Sequence, residues 1–159
     1  MEINEIFDKL KSVFDSGIIE LKTDVPFHPF IFVTPDKINA VSFYLRDAES
    51  LQFESLSCLS GVDYNKDSLA VVYHLYSFAL NQKLVVKVLV TKEKPDVDSV
   101  TDVWATAEWH EREAFDLFGI NFLNHPDLRR ILLPEDWEGF PLRKDYKVQE
   151  FYNGMKVPF

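Results

Sequence analysis

His110 and Glu113 stand at helical spacing, and His125 follows nearby. Two imidazoles and a carboxylate are donor types that hold zinc, so a metal centre is one chemistry these residues could support. No His-Glu-x-x-His or Cys-x-x-Cys spacing accompanies them, which leaves a free-standing metal-dependent enzyme as the lesser reading. Nucleophilic catalysis finds less support still. No Ser-His-acid order is present, and Gly17, Gly61, Gly119, Gly139 and Gly154 are too scattered to cradle a phosphate. His28 beside Pro29 and His74 within an apolar run read as structural or solvent-facing. Cys58 is the only cysteine. A single thiol can close no internal disulfide and hold no iron–sulfur cluster, and it fits a reducing compartment.

Glu111 is the more informative acid. Trp104, Ala107, Glu111, Ala114 and Phe118 recur every three or four residues, which puts a carboxylate in an otherwise apolar helical stripe. Such a group must be neutral, or paired and hydrogen-bonded, because an isolated buried charge is too costly. Two arrangements satisfy this. Glu111 pairs locally and positions the C-terminal segment, or it receives a basic group from that segment or from another subunit. Glu108, Arg112 and Asp116 have the spacing for a ladder of ion pairs on an adjoining face.

The segment after His125 carries the remaining candidates. Arg129, Arg130, Arg143 and Lys144 could serve as contacts or internal clamps, with Trp137 and Phe140 as apolar anchors. Arginine and aromatic residues form strong protein–protein anchors. Pro126, Pro134, Pro141 and Pro158 push the residues before them out of helical conformation, so this segment should be extended with fixed bends. Extended chain cannot satisfy its own backbone polar groups. With Ile131, Leu132, Leu133, Tyr146, Phe151, Tyr152 and Phe159 also present, it must be covered by something. Packing on the body is expected through about Leu133, with partner contact beyond it. Arg143 is expected to matter more to assembly than to the isolated fold.

The elements that must position these residues are legible in the periodicities. Ile3, Ile6, Phe7, Leu10, Val13 and Phe14 predict an amphipathic helix over 2–15, ended by Gly17. Ile18–Lys22 and Phe30–Val33 read as short strands around a Pro26–Pro29 turn. Ile38, Val41, Leu45 and Ala48 predict a second helix after Pro35-Asp36. Phe53–Tyr64, Leu69–Phe78 and Lys83–Val90 are rich in β-branched and aromatic residues, with turns at 65–67 and 81–82. Their short links make them an antiparallel meander, in which Leu84, Val86, Val88 and Val90 face one way and Lys87 the other. A helix is expected from about Val100 to Phe118. The fold class is α+β, an antiparallel-rich mixed sheet packed with helices. One domain is expected, a body over 1–124 with an extended, proline-rich segment over 125–159.

Composition bounds the partners. With 47% hydrophobic and 14% aromatic residues over 159 positions, the chain can bury a substantial core. The net charge of -9 argues against nucleic-acid binding, which needs a basic stripe. That charge lies entirely before residue 125; the remainder holds six basic and six acidic side chains. No apolar run suits a bilayer span, and the acidic start resembles no targeting signal, so membrane association is expected to be indirect.

The run Glu111-Arg112-Glu113-Ala114-Phe115-Asp116-Leu117-Phe118, followed by His125, Arg129, Ile131 and Leu132, resembles the signature of the 30-kilodalton subunit of respiratory complex I. In bacteria this is the C subunit of NADH–quinone oxidoreductase. The block from Leu133 through Trp137, Phe140, Arg143 and Lys144 to Tyr146 resembles the family's next motif, as does Gly61-Val62-Asp63-Tyr64. The resemblance implies a non-catalytic scaffold of the peripheral arm that binds no cofactor of its own. FMN and iron–sulfur clusters belong to partner subunits. The implied partners are chiefly the quinone-site D subunit, the terminal-cluster B subunit and nearby cluster-bearing subunits. It also implies a peripheral place on the cytoplasmic side of a bacterial inner membrane. The chain's start and its end at Phe159 fit a bacterial, unfused member. Related ferredoxin–quinone oxidoreductases and membrane-bound hydrogenases use equivalent subunits, and a stand-alone adaptor is a further alternative.

Overall fold

A computed structural model describes residues 1–25, 28–64 and 66–157. The expected features at Pro26, Asn65, Pro158 and Phe159 lie outside the described residues. Helix α1 (Ile3–Phe14) leads through a 3-10 turn (Asp15–Gly17) into β1 (Ile18–Lys22), β2 (Phe30–Val33) and α2 (Ile38–Asp47). The meander β3 (Ser55–Asp63), β4 (Ser68–Ser77) and β5 (Gln82–Thr91) comes next. Then follow β6 (Asp96–Asp98), α3 (Ala107–Phe118), β7 (Asn121–Leu123) and the hairpin of β8 (Phe151–Tyr152) and β9 (Met155–Lys156).

The main sheet has the order β1-β2-β5-β4-β3. Every pair is antiparallel except β2 with β5, where Phe30 to Val33 align with Val85 to Val88. That parallel join makes the sheet mixed. It buries β5 between two neighbours, which explains a strand of nearly continuous valine and leucine.

The alternation expected along β5 holds. Leu84, Val86, Val88 and Val90 join Ile6, Leu10, Ile38, Val41 and Leu45 in the helix-covered core, while Phe30, Phe32 and Val85 form a smaller cluster on the opposite face. Lys87 lies on that second face, its Nζ 3.7 Å from the centre of the Phe30 ring. Leu10 and Ile6 are almost fully buried, each contributing roughly 2 kcal/mol by loss of apolar surface to water.

Helix α1 ends at Phe14, within a residue of the expected span, and Asp15, with φ of 40°, opens the 3-10 turn that closes on Gly17. One helix boundary differs from expectation. Helix α3 starts at Ala107, not near Val100. Residues 100–104 make a single turn in which Val103 and Trp104 donate their N–H groups to the Val100 carbonyl. Helical periodicity persists there because Trp104 still enters the core, with its indole N–H donated to the Phe53 carbonyl.

Candidate interface: a carboxylate clamp for the C-terminal strap

Residues 124–150 contain no helix or strand, so their backbone groups need partners supplied from elsewhere. Asp116 supplies three in succession. Its side chain is fully buried on α3, and its Oδ2 accepts N–H groups from Ile131, Leu132 and Leu133 at 3.1, 2.7 and 3.0 Å. Oδ1 accepts from Arg130 at 2.8 Å. Burial pushes this carboxyl up, but Arg130 and the three N–H groups outweigh it and hold it below its ordinary value.

Arg130 extends the clamp along the strap. It donates to the Asp116 backbone carbonyl at 2.9 Å, and its other terminal nitrogen donates to the carbonyls of Trp137 and Gly139. Arg112, almost fully buried, donates to the carbonyls of Arg129 and Arg130. Arg112 therefore does not join a ladder with Glu108 and Asp116. The spacing on α3 permitted one, but the guanidinium turns instead to carbonyls of the strap.

The end of α3 is the second seam. Gly119 closes the helix with φ of 69°, and a Cβ there would lie 2.5 Å from the Phe140 ring. Phe140 rests on this bare backbone between Arg130 and Arg143, whose guanidinium carbons lie 5.3 and 4.7 Å from its ring centre. Arg143 donates to the Phe118 carbonyl at 2.6 Å and so satisfies an open helix end. Leu142 donates its N–H to Leu117.

A third contact uses Asp63, at the end of β3. Its Oδ2 accepts the Lys144 backbone N–H at 2.8 Å and the Lys92 ammonium at 2.9 Å. Burial pushes its carboxyl up, and these donors more than reverse that, leaving it below its ordinary value. Packing on the body thus runs past Leu133, as far as Lys144. Asp63 was legible only as part of the Gly61–Tyr64 motif, and Lys92 carried no signal.

The other expected residues divide. His125 has both ring nitrogens engaged, Nδ1 accepting the Asp127 N–H and Nε2 facing the Glu108 carbonyl at 3.2 Å. Glu113 is exposed. Among the described residues no three histidine, cysteine or carboxylate side chains are gathered for a metal, so His110, Glu113 and His125 do not converge. Arg129 is 63% exposed and pairs with Asp127. The Lys144 side chain is exposed as well. Trp137 packs against Tyr152 of the terminal hairpin, ring centres 5.1 Å apart.

Glu111 is buried, as its stripe required, and it pairs locally, the first of the two arrangements expected, though without positioning the strap. It accepts from the Ser99 hydroxyl at 2.7 Å and the Val100 N–H at 2.8 Å. Both donors belong to the turn before α3. It receives no cation and does not touch the strap; Asp116 performs the positioning assigned to it. Burial is the main cause raising its carboxyl, to about 7, opposed by those two hydrogen bonds and assisted by nearby Asp102.

An α+β body that pins an irregular strap by buried carboxylates defines a protein whose C-terminal segment is shaped, not free. A family model described as respiratory-chain NADH dehydrogenase, 30 Kd subunit, matches residues 31–152. The chain belongs to that family. It is 49% identical over 152 residues to the NADH-quinone oxidoreductase C subunit of Chloroherpeton thalassium, covering 94% of this chain but 63% of that relative. The corresponding protein of Chlorobium phaeobacteroides is 48% identical, covering 99% of this chain and 92% of the relative. A different enzyme's component, the F(420)H(2) dehydrogenase C subunit of Methanosarcina mazei, is 39% identical, with 92% of this chain and 93% of that one covered. Among solved structures, a trypsin-resistant fragment (1-134) of Nqo5 superposes with a TM-score of 0.65 at 26% identity. The superposition covers 80% of this chain and all of the fragment.

Proposed function

We propose that this chain is a structural subunit in the peripheral arm of a proton-translocating NADH–quinone oxidoreductase. One observation carries the reading: the family match extends from residue 31 to residue 152, across the sheet and the clamped strap alike. In this role the strap is set in shape by Asp116, Arg130 and Asp63 so that its outer side meets the quinone-site and terminal-cluster subunits. Electrons pass from NADH through FMN and iron–sulfur centres held by those neighbours and others. Electron tunnelling weakens steeply with distance, so a scaffold that keeps clusters in register sustains rate without touching an electron. The chain itself holds no cofactor and contributes no active site in this scheme.

No helix among the described residues is long and apolar enough to cross a membrane. In this scheme the chain attaches to the cytoplasmic side of a bacterial inner membrane through the complex. Deleting the gene should abolish assembled, quinone-coupled NADH oxidation, and replacing it should restore both. Wild-type coupled oxidation in the deletion strain rules the proposal out. Metal analysis of the purified chain separates it from a metal-dependent enzyme.

A second reading keeps the architecture and changes the electron donor. The similarity to a subunit of an F(420)H(2) dehydrogenase favours it, because that relative has comparable length and a different named donor. Neighbouring genes for an NADH-binding module, or their absence, decide between the two.

A further inference from the structure

The end of the main sheet farthest from the strap seams holds a cleft of about 540 Å³, lined by residues including Ile3, His28, Pro29, His74, Lys83 and Val85. Its origin lies in the strand register. Strand β2 begins at Phe30, opposite Val85, so Lys83 and Leu84 of β5 have no β2 neighbour. The start of α1 borders the gap, tied there by the Gln82 amide, which donates to the Met1 carbonyl. The volume lies within the range of small-molecule sites.

The lining has two characters. Ile3, Pro29, Leu75, Leu84 and Val85 supply an apolar floor, while His28, His74 and Lys83 supply a basic rim. Three basic residues and a single acid among the lining run contrary to the overall balance of a chain of net charge -9. None of the three side chains has a hydrogen-bond partner among the described residues. Glu2, the one acid among the lining residues, does not neutralise them. Its carboxylate accepts an N–H of the first turn of α1, and its own N–H donates to Glu5 at 3.0 Å.

We propose that this cleft binds a small amphipathic carboxylate, its apolar body on the floor and its anionic head between His28, His74 and Lys83. A neutral amphiphile leaves the rim unpaired, and a bare anion leaves the floor wet. Burial, together with the nearby charges of His28 and Lys87, holds His74 below the ordinary imidazole value. A bound carboxylate adds the missing negative charge and brings that value up, which supplies a readout independent of any enzymatic activity.

The test is a titration of the full chain with octanoate, octan-1-ol and inorganic phosphate, followed through the histidine ring resonances. Octanoate is expected to shift His28 and His74 saturably and to raise the His74 titration midpoint. Octan-1-ol and phosphate are each expected to bind at least tenfold more weakly. His74→Gln combined with Lys83→Gln should lose at least tenfold in octanoate affinity while keeping the parent melting temperature. Should that double variant fail to fold, Lys83→Gln alone, at an exposed position, is expected to lose at least threefold. The absence of a saturable shift overturns the site. Equal affinity for octan-1-ol or phosphate overturns the assigned ligand class, as does undiminished octanoate binding by a folded variant.

Discussion

Arg130 and Asp116 meet twice. One guanidinium nitrogen lies 2.8 Å from the Asp116 carboxylate and 2.9 Å from the backbone carbonyl of the same residue. The second carboxylate oxygen is shared by three consecutive strap N–H groups. A single buried acid thus determines both the position of a side chain and the bend of a backbone. Removing one member of a buried pair costs more than the pair's net worth, because the other is left unmatched. Asp116→Asn should destabilise the chain by on the order of 3 kcal/mol in chemical denaturation. It should also open the strap to trypsin at Arg130. Wild-type stability in this variant contradicts the clamp.

Asp116 also predicts an acid limb. Its folded value lies below its unfolded one, so the stabilisation is fully present above the unfolded value of about 4 and is lost as pH falls through the folded value. Asp63 has the same sign. Denaturation midpoints measured from pH 6 to pH 2 should fall below pH 4, and Asp116→Asn should flatten the fall.

Glu111 has the opposite sign. Its folded value of about 7 lies above the unfolded one, so ionisation disfavours the folded state and stability declines as pH rises from about 4.3 to 7. Glu111→Gln keeps the shape and removes the charge. Its stability relative to the parent should rise by on the order of 3 kcal/mol between pH 5 and pH 8. A pH-independent difference would place the ionisation elsewhere.

Gly119 tests the second seam. Its positive φ and the Phe140 ring, 2.5 Å from where a Cβ would stand, both oppose substitution. Gly119→Ala should cost about 2 kcal/mol or more. Because Arg143 bonds the end of α3, Arg143→Ala should also lower the stability of the isolated chain, by about 1 kcal/mol. Arg143 thus stands as an internal clamp, and complex yield measured beside this stability loss tests the expectation that it matters more to assembly.

The outward side of the strap provides the contrasting case. Leu132 is 60% and Leu142 52% exposed, and both enter the seams through their backbone N–H groups alone, which leaves their side chains free of the clamp. Leu132→Asp with Leu142→Asp should leave isolated-chain stability within about 0.5 kcal/mol per site. The yield of assembled complex should drop severalfold in the same strain. Unchanged assembly would move the partner surface away from the strap.

The five strands of the main sheet, the first two helices and the buried place of Glu111 were determined by the sequence alone; the short strands β6 to β9 were not. The reason is local: alternation along β5 and the three-and-four spacing of Ile6 and Leu10 report a face wherever that face packs. The family motif likewise stood in the residues. What Arg130 and Asp116 do was decided only by tertiary structure. A proline-bent segment has no period, so nothing in its order tells whether an arginine turns toward the body or away from it. The same limit hid the parallel join of β2 to β5, the late start of α3 and the pairing of Asp63 with Lys144. Each depends on groups distant along the chain that meet only after the sheet has formed.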